Sequence, residues 1–420
     1  MRKIGLLITL LCVCMSNSLP AQLHNQMNKP SFRSLQIRHL DNWLRPPVIQ
    51  LHTDEAISIS FDDLASGQQS YYYSIVHCNR DWTPSQLSEM EYLNGFNNNL
   101  IEEVAPSFNT YVPYFHYRIQ LPNDKISFAL SGNYVCQVYS ADRPDEILLT
   151  ARFYVAEKAV QVASSFSSDT DLSFRKDQQQ ISVRIQPIQL NISTPQTDIA
   201  VAVEQNNRPD TRRLITSSVS VRGNNQLVYE HNRDLIFEGG NEYRRFEIVS
   251  FRYPGLKVDK IRFADSLYMA TLIPDEPRND QSYYYDRDQN GRYLVRDVNA
   301  GNNDTESDYF RVCFTLPTDL PYINGRIYLM GEFTQNRLLP EFEVRYNSQM
   351  RTYLFDALLK EGAYNYMYVM VPNDTRTPSV SPIEGSHYET ENEYLTLVYY
   401  RPQGARYDRI VGHHFLTTGK

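Results

Sequence analysis

The sequence is poor in cysteine and in basic charge, and it has no long hydrophobic run beyond its first residues. Five cysteines among 420 residues are too few for a disulfide scaffold. With 41 Lys and Arg against 49 Asp and Glu, the formal net charge is −8, which argues against nucleic-acid binding because that requires a basic face. No later stretch approaches the roughly 18 consecutive apolar residues of a transmembrane helix.

Familiar catalytic motifs are missing as well. The nine histidines do not form an HExxH helix motif, and the sequence has no GxSxG elbow, no CxxC pair and no Walker loop. We therefore predict a protein that is not an enzyme, with no catalytic residue, no bound cofactor and no nucleic-acid partner.

The first 21 residues have the pattern of a secretory signal peptide. Arg2 and Lys3 precede the apolar run Ile4–Met15, and Leu19-Pro20-Ala21 offers a cleavage site after Ala21. The apolar run is shorter than the 20 or so residues that a membrane anchor needs. The sequence therefore predicts an exported protein without a transmembrane segment.

Cleavage would leave three cysteines, Cys78, Cys136 and Cys313. Cys136 alternates with Tyr134 and Val138 on one face of a predicted strand, so we expect it to be a buried small hydrophobe. A disulfide between Cys78 and Cys136 stays open at this point, and Cys313 has no obvious partner.

The abundant residues favour strands and turns. The chain has 31 Tyr, 19 Phe and 22 Pro, and aromatic residues suit a pleated, half-buried surface. Ile57, Ile59 and Phe61 alternate with serines, which is the period of a half-buried strand. Short strands recur at 8–15 residue spacing in the last third, a rhythm typical of immunoglobulin-like sandwiches. We predict an all-β fold of tandem immunoglobulin-like or fibronectin-like β-sandwiches.

Strand signals, turns and a polar linker at 299–308 divide the chain. The predicted units are a signal peptide at 1–21, an N-terminal β-sandwich at 34–157, a middle β domain at 158–307, a C-terminal β-sandwich at 308–402 and a tail at 403–420. Thr83-Pro84-Ser85-Gln86 looks like a capping box, which predicts a short helix in the first unit that ends near Gly95.

One segment offers two interpretations. Asp286, Asp288 and Asn290, followed by Gly291 and by Asp297 at the twelfth position, match the ligand spacing of a calcium loop. The alternative is a β-hairpin of 283–286 with 292–295 around the Asn-Gly turn, which favours positive φ.

The C-terminal sandwich carries two further motifs, Tyr328-Leu-Met-Gly-Glu-Phe333 and Glu361-Gly-Ala-Tyr-Asn-Tyr-Met-Tyr368. They resemble the early-set immunoglobulin-like modules of starch- and glycogen-binding domains. Those modules stack sugars on an exposed Trp, roughly where Asn336 falls here, so the resemblance does not bring sugar binding with it. We expect Tyr364, Tyr366 and Tyr368 to be core residues.

Longer strings, in order along most of the chain, resemble the plug protein family of the type IX secretion system. They are Cys78-Asn-Arg-Asp-Trp-Thr-Pro-Ser85, Glu91-Tyr-Leu-Asn-Gly-Phe-Asn97, Asn109-Thr-Tyr-Val-Pro-Tyr-Phe-His-Tyr117, Phe237-Glu-Gly-Gly-Asn-Glu-Tyr-Arg-Arg-Phe246, Asp288-Gln-Asn-Gly-Arg-Tyr293, Ile383-Glu-Gly-Ser-His-Tyr-Glu-Thr-Glu-Asn-Glu-Tyr394 and Val398-Tyr-Tyr-Arg401.

The resemblance implies a non-catalytic periplasmic protein. It would bind the outer-membrane translocon β-barrel of this system, lie at the inner face of the outer membrane through that partner, and seal the periplasmic opening while no cargo is engaged. Trp82, Tyr92 and Phe96 are the candidate interface residues. The alternative is a carbohydrate-binding or calcium-stabilised β-sandwich module exported to the periplasm or the cell surface.

Overall fold

The computed structural model describes residues 22–217 and 219–419, so the predicted signal peptide at 1–21 lies outside the described residues. Antiparallel strands dominate, which confirms the predicted all-β fold. The α-helices of the described residues are one turn each: Glu89–Tyr92 (α1), Pro195–Asp198 (α2), Asn303–Glu306 (α3) and Ser381–Glu384 (α4). In this part of the chain, none is both long and apolar enough to cross a membrane.

Twelve strands build a first sandwich around one apolar core. They are Gln26–Met27 (β1), Phe32–His39 (β2), Val48–Gln50 (β3), Ile57–Asp63 (β4), Tyr71–Cys78 (β5), Leu93–Gly95 (β6), Asn99–Leu100 (β7), Glu103–Pro106 (β8), Phe115–Leu121 (β9), Ile126–Phe128 (β10), Gly132–Ser140 (β11) and Arg143–Ala156 (β12). One sheet has the order β1-β12-β11-β5-β7, and the facing sheet has the order β2-β4-β9-β8. Between them Phe61 packs against Tyr117 and Tyr71 with ring centroids 5.2 and 6.4 Å apart, so the alternation along β4 does mark a core strand.

A middle sandwich begins with seven strands. They are Val160–Ser167 (β13), Gln178–Pro187 (β14), Ile199–Gln205 (β15), Arg213–Ile215 (β16), Ser220–Arg222 (β17), Gln226–Tyr229 (β18) and Ile236–Glu238 (β19). β13, β14, β17, β18 and β19 make one sheet, and β15 with β16 starts the other. Apolar residues of both sheets, such as Ile181 and Val201, share one core.

A third unit consists of one nine-stranded sheet. Its strands are Arg244–Ile248 (β20), Val258–Ala264 (β21), Leu267–Leu272 (β22), Tyr293–Val295 (β23), Tyr309–Pro317 (β24), Gly325–Met330 (β25), Glu343–Asn347 (β26), Thr352–Lys360 (β27) and Gly362–Pro372 (β28). The path runs β20-β28-β25-β26-β27-β24-β22-β21, with β23 beside β28. Phe246 on β20 and Phe314 on β24 pack edge to face at 5.4 Å, so the sheet folds over on itself around its core.

The last two strands, Glu393–Tyr400 (β29) and Arg409–Thr417 (β30), return to the middle sandwich. β29 pairs antiparallel with β15 from Ile199↔Tyr400 to Gln205↔Tyr394, and β30 pairs with β29. The structure therefore differs from the predicted division: β20–β23 join the third unit, and the predicted tail at 403–420 contains a core strand. Pairing partners this distant leave no trace in local periodicity, which is why spacing alone missed them.

Two local predictions also need correction. The short helix exists but begins at Glu89, because Ser88 and Glu91 form the capping box rather than Thr83 and Gln86. The Asn290-Gly291 turn exists, with φ of 51° and 84°, and the backbone N–H of Arg292 donates to the carbonyl of Gln289 at 3.2 Å. However, residues 283–286 are not a strand, and the strand after the turn, β23, pairs with β28 instead of forming a hairpin.

The three cysteines of residues 22–217 and 219–419 are unpaired. Cys136 lies opposite Ile75 in the register of β11 and β5, and both contribute to the core of the first sandwich. Cys78 comes three residues after Ile75, so its side chain points to the other face, where it joins a different apolar cluster. Neither forms a disulfide, so the structure lacks the Cys78–Cys136 bridge that the sequence left open.

Candidate partner-binding surface

Buried charges join the first sandwich to the third unit. Lys360 Nζ donates to Asp62 Oδ2 at 2.7 Å, and both side chains are only 1 % exposed. Tyr309 Oη donates to the same oxygen at 2.6 Å, while His116 Nδ1 lies 2.7 Å from Asp62 Oδ1. Burial by itself would raise the pKa of Asp62, but the Lys360 charge and the His116 contact hold it below its usual value. The carboxylate is thus fully partnered, which locks the two units together.

A second pair supports the same junction. Arg38 binds Glu332 with two N–H···O contacts of 2.6 Å each, the fork geometry in which Arg–carboxylate pairs are strongest. Its Nη2 also donates to the carbonyl of Tyr293 at 2.7 Å, and Tyr293 Oη donates to the carbonyl of Leu35 at 3.1 Å. Strand β2 of the first sandwich is thereby fixed against the third unit.

An apolar cluster joins the first sandwich to the middle sandwich, and Trp82 lies in it. Trp82 is 3 % exposed, packs on Tyr154 at 5.1 Å and lies under the Arg152 guanidinium at 4.2 Å. The facing side chains of this cluster include Leu397 and Tyr399 on β29. Trp82 is therefore an internal contact between two sandwiches and is not available to an outside partner.

Tyr92 is also buried, with 5 % of its side chain exposed. Its hydroxyl donates to the carbonyl of Ile75 at 3.0 Å. The end of a one-turn helix packs here against the sheet, so this tyrosine also serves the core. Of the three predicted interface residues, the structure leaves Phe96 on the surface, 85 % exposed.

Phe96 is presented by a rigid loop. The Asn97 side chain accepts from the backbone N–H of Ile75 at 2.6 Å and donates to its carbonyl at 2.9 Å, as a neighbouring strand would. Asn99 Nδ2 donates to the carbonyl of Phe96 at 2.6 Å. Gly95 has φ of +106°, and a Cβ there would lie 1.9 Å from the carbonyl oxygen of Lys125. The backbone of the loop is therefore fixed on both sides of an exposed aromatic ring.

Met90 was missed by sequence reasoning. It lies on the outer side of α1 and is 90 % exposed, while Tyr92 two residues later faces the core. The helical turn itself carries this signal, because residues two apart on a helix face different sides. Met90 and Phe96 thus flank the buried Tyr92 and add exposed apolar surface at this end of the first sandwich.

Three of the four predicted calcium ligands, Asp286, Asp288 and Asp297, have other partners. Asp286 accepts from Arg245 Nη2 at 2.5 Å. Asp288 accepts from the backbone N–H groups of Tyr243 and Asn290, and burial raises its pKa to about 8. Asp297 lies beyond β23 and accepts from the backbone N–H of Asn299 at 2.8 Å. Within the described residues, three or more such ligand atoms lie within 4.8 Å of one another only at His39, Asp41 and Glu55, so the structure does not bring the predicted set together.

The tyrosines of the early-set motif are core residues, as predicted. Tyr364, Tyr366 and Tyr368 are at most 2 % exposed. Asn336, at the position of the sugar-stacking Trp, is also buried and donates from Nδ2 to the carbonyl of Asn207 at 3.0 Å. Nothing about these side chains favours a sugar platform.

The fold defines a multi-unit β-sandwich protein. Residues 32–157, which span most of the first sandwich, match the family model described as type 9 secretion system plug protein 1st domain. The chain belongs to the type IX secretion plug family.

The full chain also resembles a solved structure. A hypothetical protein from Parabacteroides merdae ATCC 43184 is 41 % identical in sequence with a TM-score of 0.92, and the match covers 95 % of this chain and 100 % of that one. A match to a DNA glycosylase from Pseudomonas fluorescens has a TM-score of 0.16 at 14 % identity over 30 % of each chain, too low to carry an argument. No curated protein matches the sequence.

Proposed function

We propose that this protein is a periplasmic component of the type IX secretion system that binds the outer-membrane translocon barrel. In this proposal it seals the periplasmic opening of the barrel while no cargo is engaged. The observation that carries the proposal is the family match over residues 32–157. The role is one of binding and sealing, without catalysis.

The way the units are joined supports a sealing role. A seal must resist deformation, and flexible sandwiches on linkers would leave gaps. Here the Lys360–Asp62 pair and the Arg38–Glu332 fork hold the first sandwich on the third unit. The Trp82 cluster holds it on the middle sandwich. Breaking a buried pair of this kind costs about 3–5 kcal/mol, so the units should dock as one body.

We further propose that Phe96 contacts the barrel. Binding costs less when an aromatic side chain is held by a fixed backbone, because little conformational entropy is lost. Exposed aromatic anchors of this kind supply much of the affinity of protein interfaces. The Asn97 and Asn99 side chains provide the fixed backbone.

The proposal is tested by purifying the tagged protein from detergent-solubilised outer membranes and identifying what co-purifies by mass. We expect one very large β-barrel protein at near-equal stoichiometry. A channel assay with that barrel should then show a larger leak when this protein is removed. Recovery of the protein alone, or a leak that does not change, would overturn the proposal.

Phe96→Ser tests the contact. We expect at least tenfold weaker capture of the barrel, because truncating an aromatic anchor typically costs about 2 kcal/mol. The matched control is Phe174→Ser, since Phe174 is also a largely exposed phenylalanine, at 67 %, but belongs to the middle sandwich. Equal capture by both variants would rule out Phe96 as a contact.

A further inference from the structure

A surface cavity opens where the first sandwich meets the third unit. Its volume is about 460 Å³, within the range of ligand pockets. The loop after β8 lines one side with Tyr111, and the third unit lines the other with Phe251, Asp297 and Glu361. Because both units contribute, the cavity exists only in the assembled body.

Four carboxylates line this cavity without a counter-ion: Asp297, Glu306, Asp308 and Glu361. Among the described residues, no Lys, Arg or His nitrogen lies within 4.0 Å of their oxygens, although ion pairs are frequent elsewhere in the protein. Asp308 accepts from the backbone N–H groups of Tyr111 and Val112 at 2.7 and 3.1 Å, which fixes the rim. Acidic side chains are therefore concentrated here, and the rim that carries them is held by rigid backbone.

Glu361 is the informative member of the four. Its side chain is only 1 % exposed. One oxygen, Oε2, accepts from the backbone N–H of Asp308 at 2.8 Å, while Oε1 is buried without a hydrogen-bond partner among the described residues. Buried carboxylate oxygens are normally satisfied, so an unused acceptor in a cavity wall points to a missing donor. Burial, together with the charges of Asp297 and Asp308, raises the pKa of Glu361 to about 8.

Aromatic rings border the same cavity. Tyr111 is 59 % exposed and Phe251 is 39 % exposed. Both rings pack on Tyr268, at 5.2 and 5.3 Å between centroids, so each is held in place. Exposed aromatic faces beside carboxylates suit a cation that has a flat or apolar body, because cation–π attraction adds to the ion pair.

We propose that this cavity binds an organic cation, namely an arginine or lysine side chain carried by an extended segment of a partner protein. The ammonium or guanidinium group would donate to Glu361 Oε1, with Asp297 supplying further negative charge and Tyr111 and Phe251 covering the aliphatic stem. The inference rests on the proposed function only in that a secretion partner supplies this segment. The cation site itself can be tested without that partner.

The spacing of the carboxylates favours an organic cation over a bare metal ion. A divalent cation draws its ligand atoms to within a few ångströms of one another. Among the described residues, these four carboxylates do not contribute three ligand atoms within 4.8 Å of one another. An extended cation with several N–H donors can reach carboxylates that stand further apart. Arg252 also borders the cavity, with its guanidinium 5.5 Å from the ring centre of Phe251.

The test is a calorimetric titration of the full chain with the capped peptide Gly-Arg-Gly, its lysine analogue, and Gly-citrulline-Gly as a neutral isostere of arginine. We expect both charged peptides to bind at least tenfold more tightly than the citrulline peptide. Glu361→Gln should weaken that binding about tenfold, and Asp297→Asn should weaken it less. Asp145→Asn changes an exposed carboxylate of the first sandwich and should bind like the wild type.

Equal affinity for the arginine and citrulline peptides would overturn the proposal, as would an unchanged affinity in both Glu361→Gln and Asp297→Asn. Calcium binding without peptide binding would also overturn it in favour of a metal site. Asp297 is partly exposed, so its variant serves if Glu361→Gln does not fold. The two proposals can fail separately. If a variant that cannot bind the peptides still co-purifies with the barrel, barrel binding does not depend on this cavity, and a failure of the cation site leaves the sealing role standing.

Discussion

Lys360 and Glu361 are neighbours in the chain, and both are about 1 % exposed, yet they have opposite electrostatic surroundings. The ammonium of Lys360 meets the carboxylate of Asp62 and lies 4.0 Å from the ring centre of Tyr114. The carboxyl group of Glu361 faces Asp297 and Asp308, and among the described residues it has no Lys, Arg or His nitrogen within 4.0 Å. The last residue of β27 and the residue that follows it thus have side chains in two different sites.

The difference separates two uses of buried charge. A buried charge with its partner inside the protein joins two units permanently, because neither member can return to water without leaving the other unpaired. A buried charge without a partner destabilises the protein on its own. Such a group becomes favourable when a ligand supplies the opposite charge, which is how we interpret Glu361.

The largest expected effect comes from removing the internal partner. Lys360→Met should lower the free energy of unfolding by about 3–5 kcal/mol, because Asp62 then stays buried without its cation. Urea unfolding followed by circular dichroism measures this. The control is Lys125→Met, since Lys125 pairs with Glu102 at side-chain exposures of 41 and 66 % and should change stability by less than about 1 kcal/mol. Similar values for the two variants would contradict the difference between buried and exposed pairs.

The next expected effect concerns His77, a buried side chain with no charged partner in contact. It is 1 % exposed, and burial lowers its pKa to about 4, opposed by a 3.2 Å contact with the carbonyl of Ser131. As the pH falls below 6.5, the unfolded chain binds the proton before the folded protein does. The stability that neutral His77 contributes is therefore complete above pH 6.5 and is lost towards pH 4, by about 3 kcal/mol.

Unfolding of the wild type and of His77→Phe at pH 7 and at pH 4 measures this loss. The phenylalanine ring can replace the imidazole among Tyr92, Tyr134 and Tyr407. We expect the variant to lose less stability than the wild type between the two pH values. An equal loss would mean that His77 is not the group that titrates.

The smallest expected effect is a gain in stability, in the variant Glu361→Gln. The pKa of Glu361 is raised in the folded protein, so its contribution to stability is present below pH 4.5 and is lost as the pH rises towards 8. At pH 8 the free energy of unfolding of Glu361→Gln, measured with urea, should therefore exceed that of the wild type by about 1–3 kcal/mol. The two proteins should converge near pH 4.5. A less stable variant at pH 8 would mean that the carboxylate is already compensated within the protein.

The strands could be predicted from the sequence because their causes are local. Alternation at Ile57 and Ile59 follows from one buried face, and the Asn290-Gly291 turn follows from positive φ at both residues. Tyr364 and Cys136 were likewise predicted to be buried from period two alone, and they are. Each of these features depends on a few neighbouring residues.

The candidate sites could not be predicted because their causes are not local. Trp82 looks like an interface aromatic until β29 covers it. The environment of Glu361 depends on Tyr111 and Asp308, which come from distant parts of the chain. Glu361 lies between β27 and β28, and the period of the neighbouring strands says nothing about which charges approach it.

The return of β29 and β30 to the middle sandwich has a consequence for how this protein is made. β15 cannot pair until its partner strand has been synthesised almost 200 residues later, at Tyr394–Tyr400. The third unit is an insertion between the two halves of the middle sandwich, and its strands are complete before that pairing can begin. Contacts between such distant residues slow folding. Until the last strands have been synthesised, the apolar edge of β15 is open to other chains, and a chaperone that covers it would have almost half of the polypeptide's synthesis time in which to act.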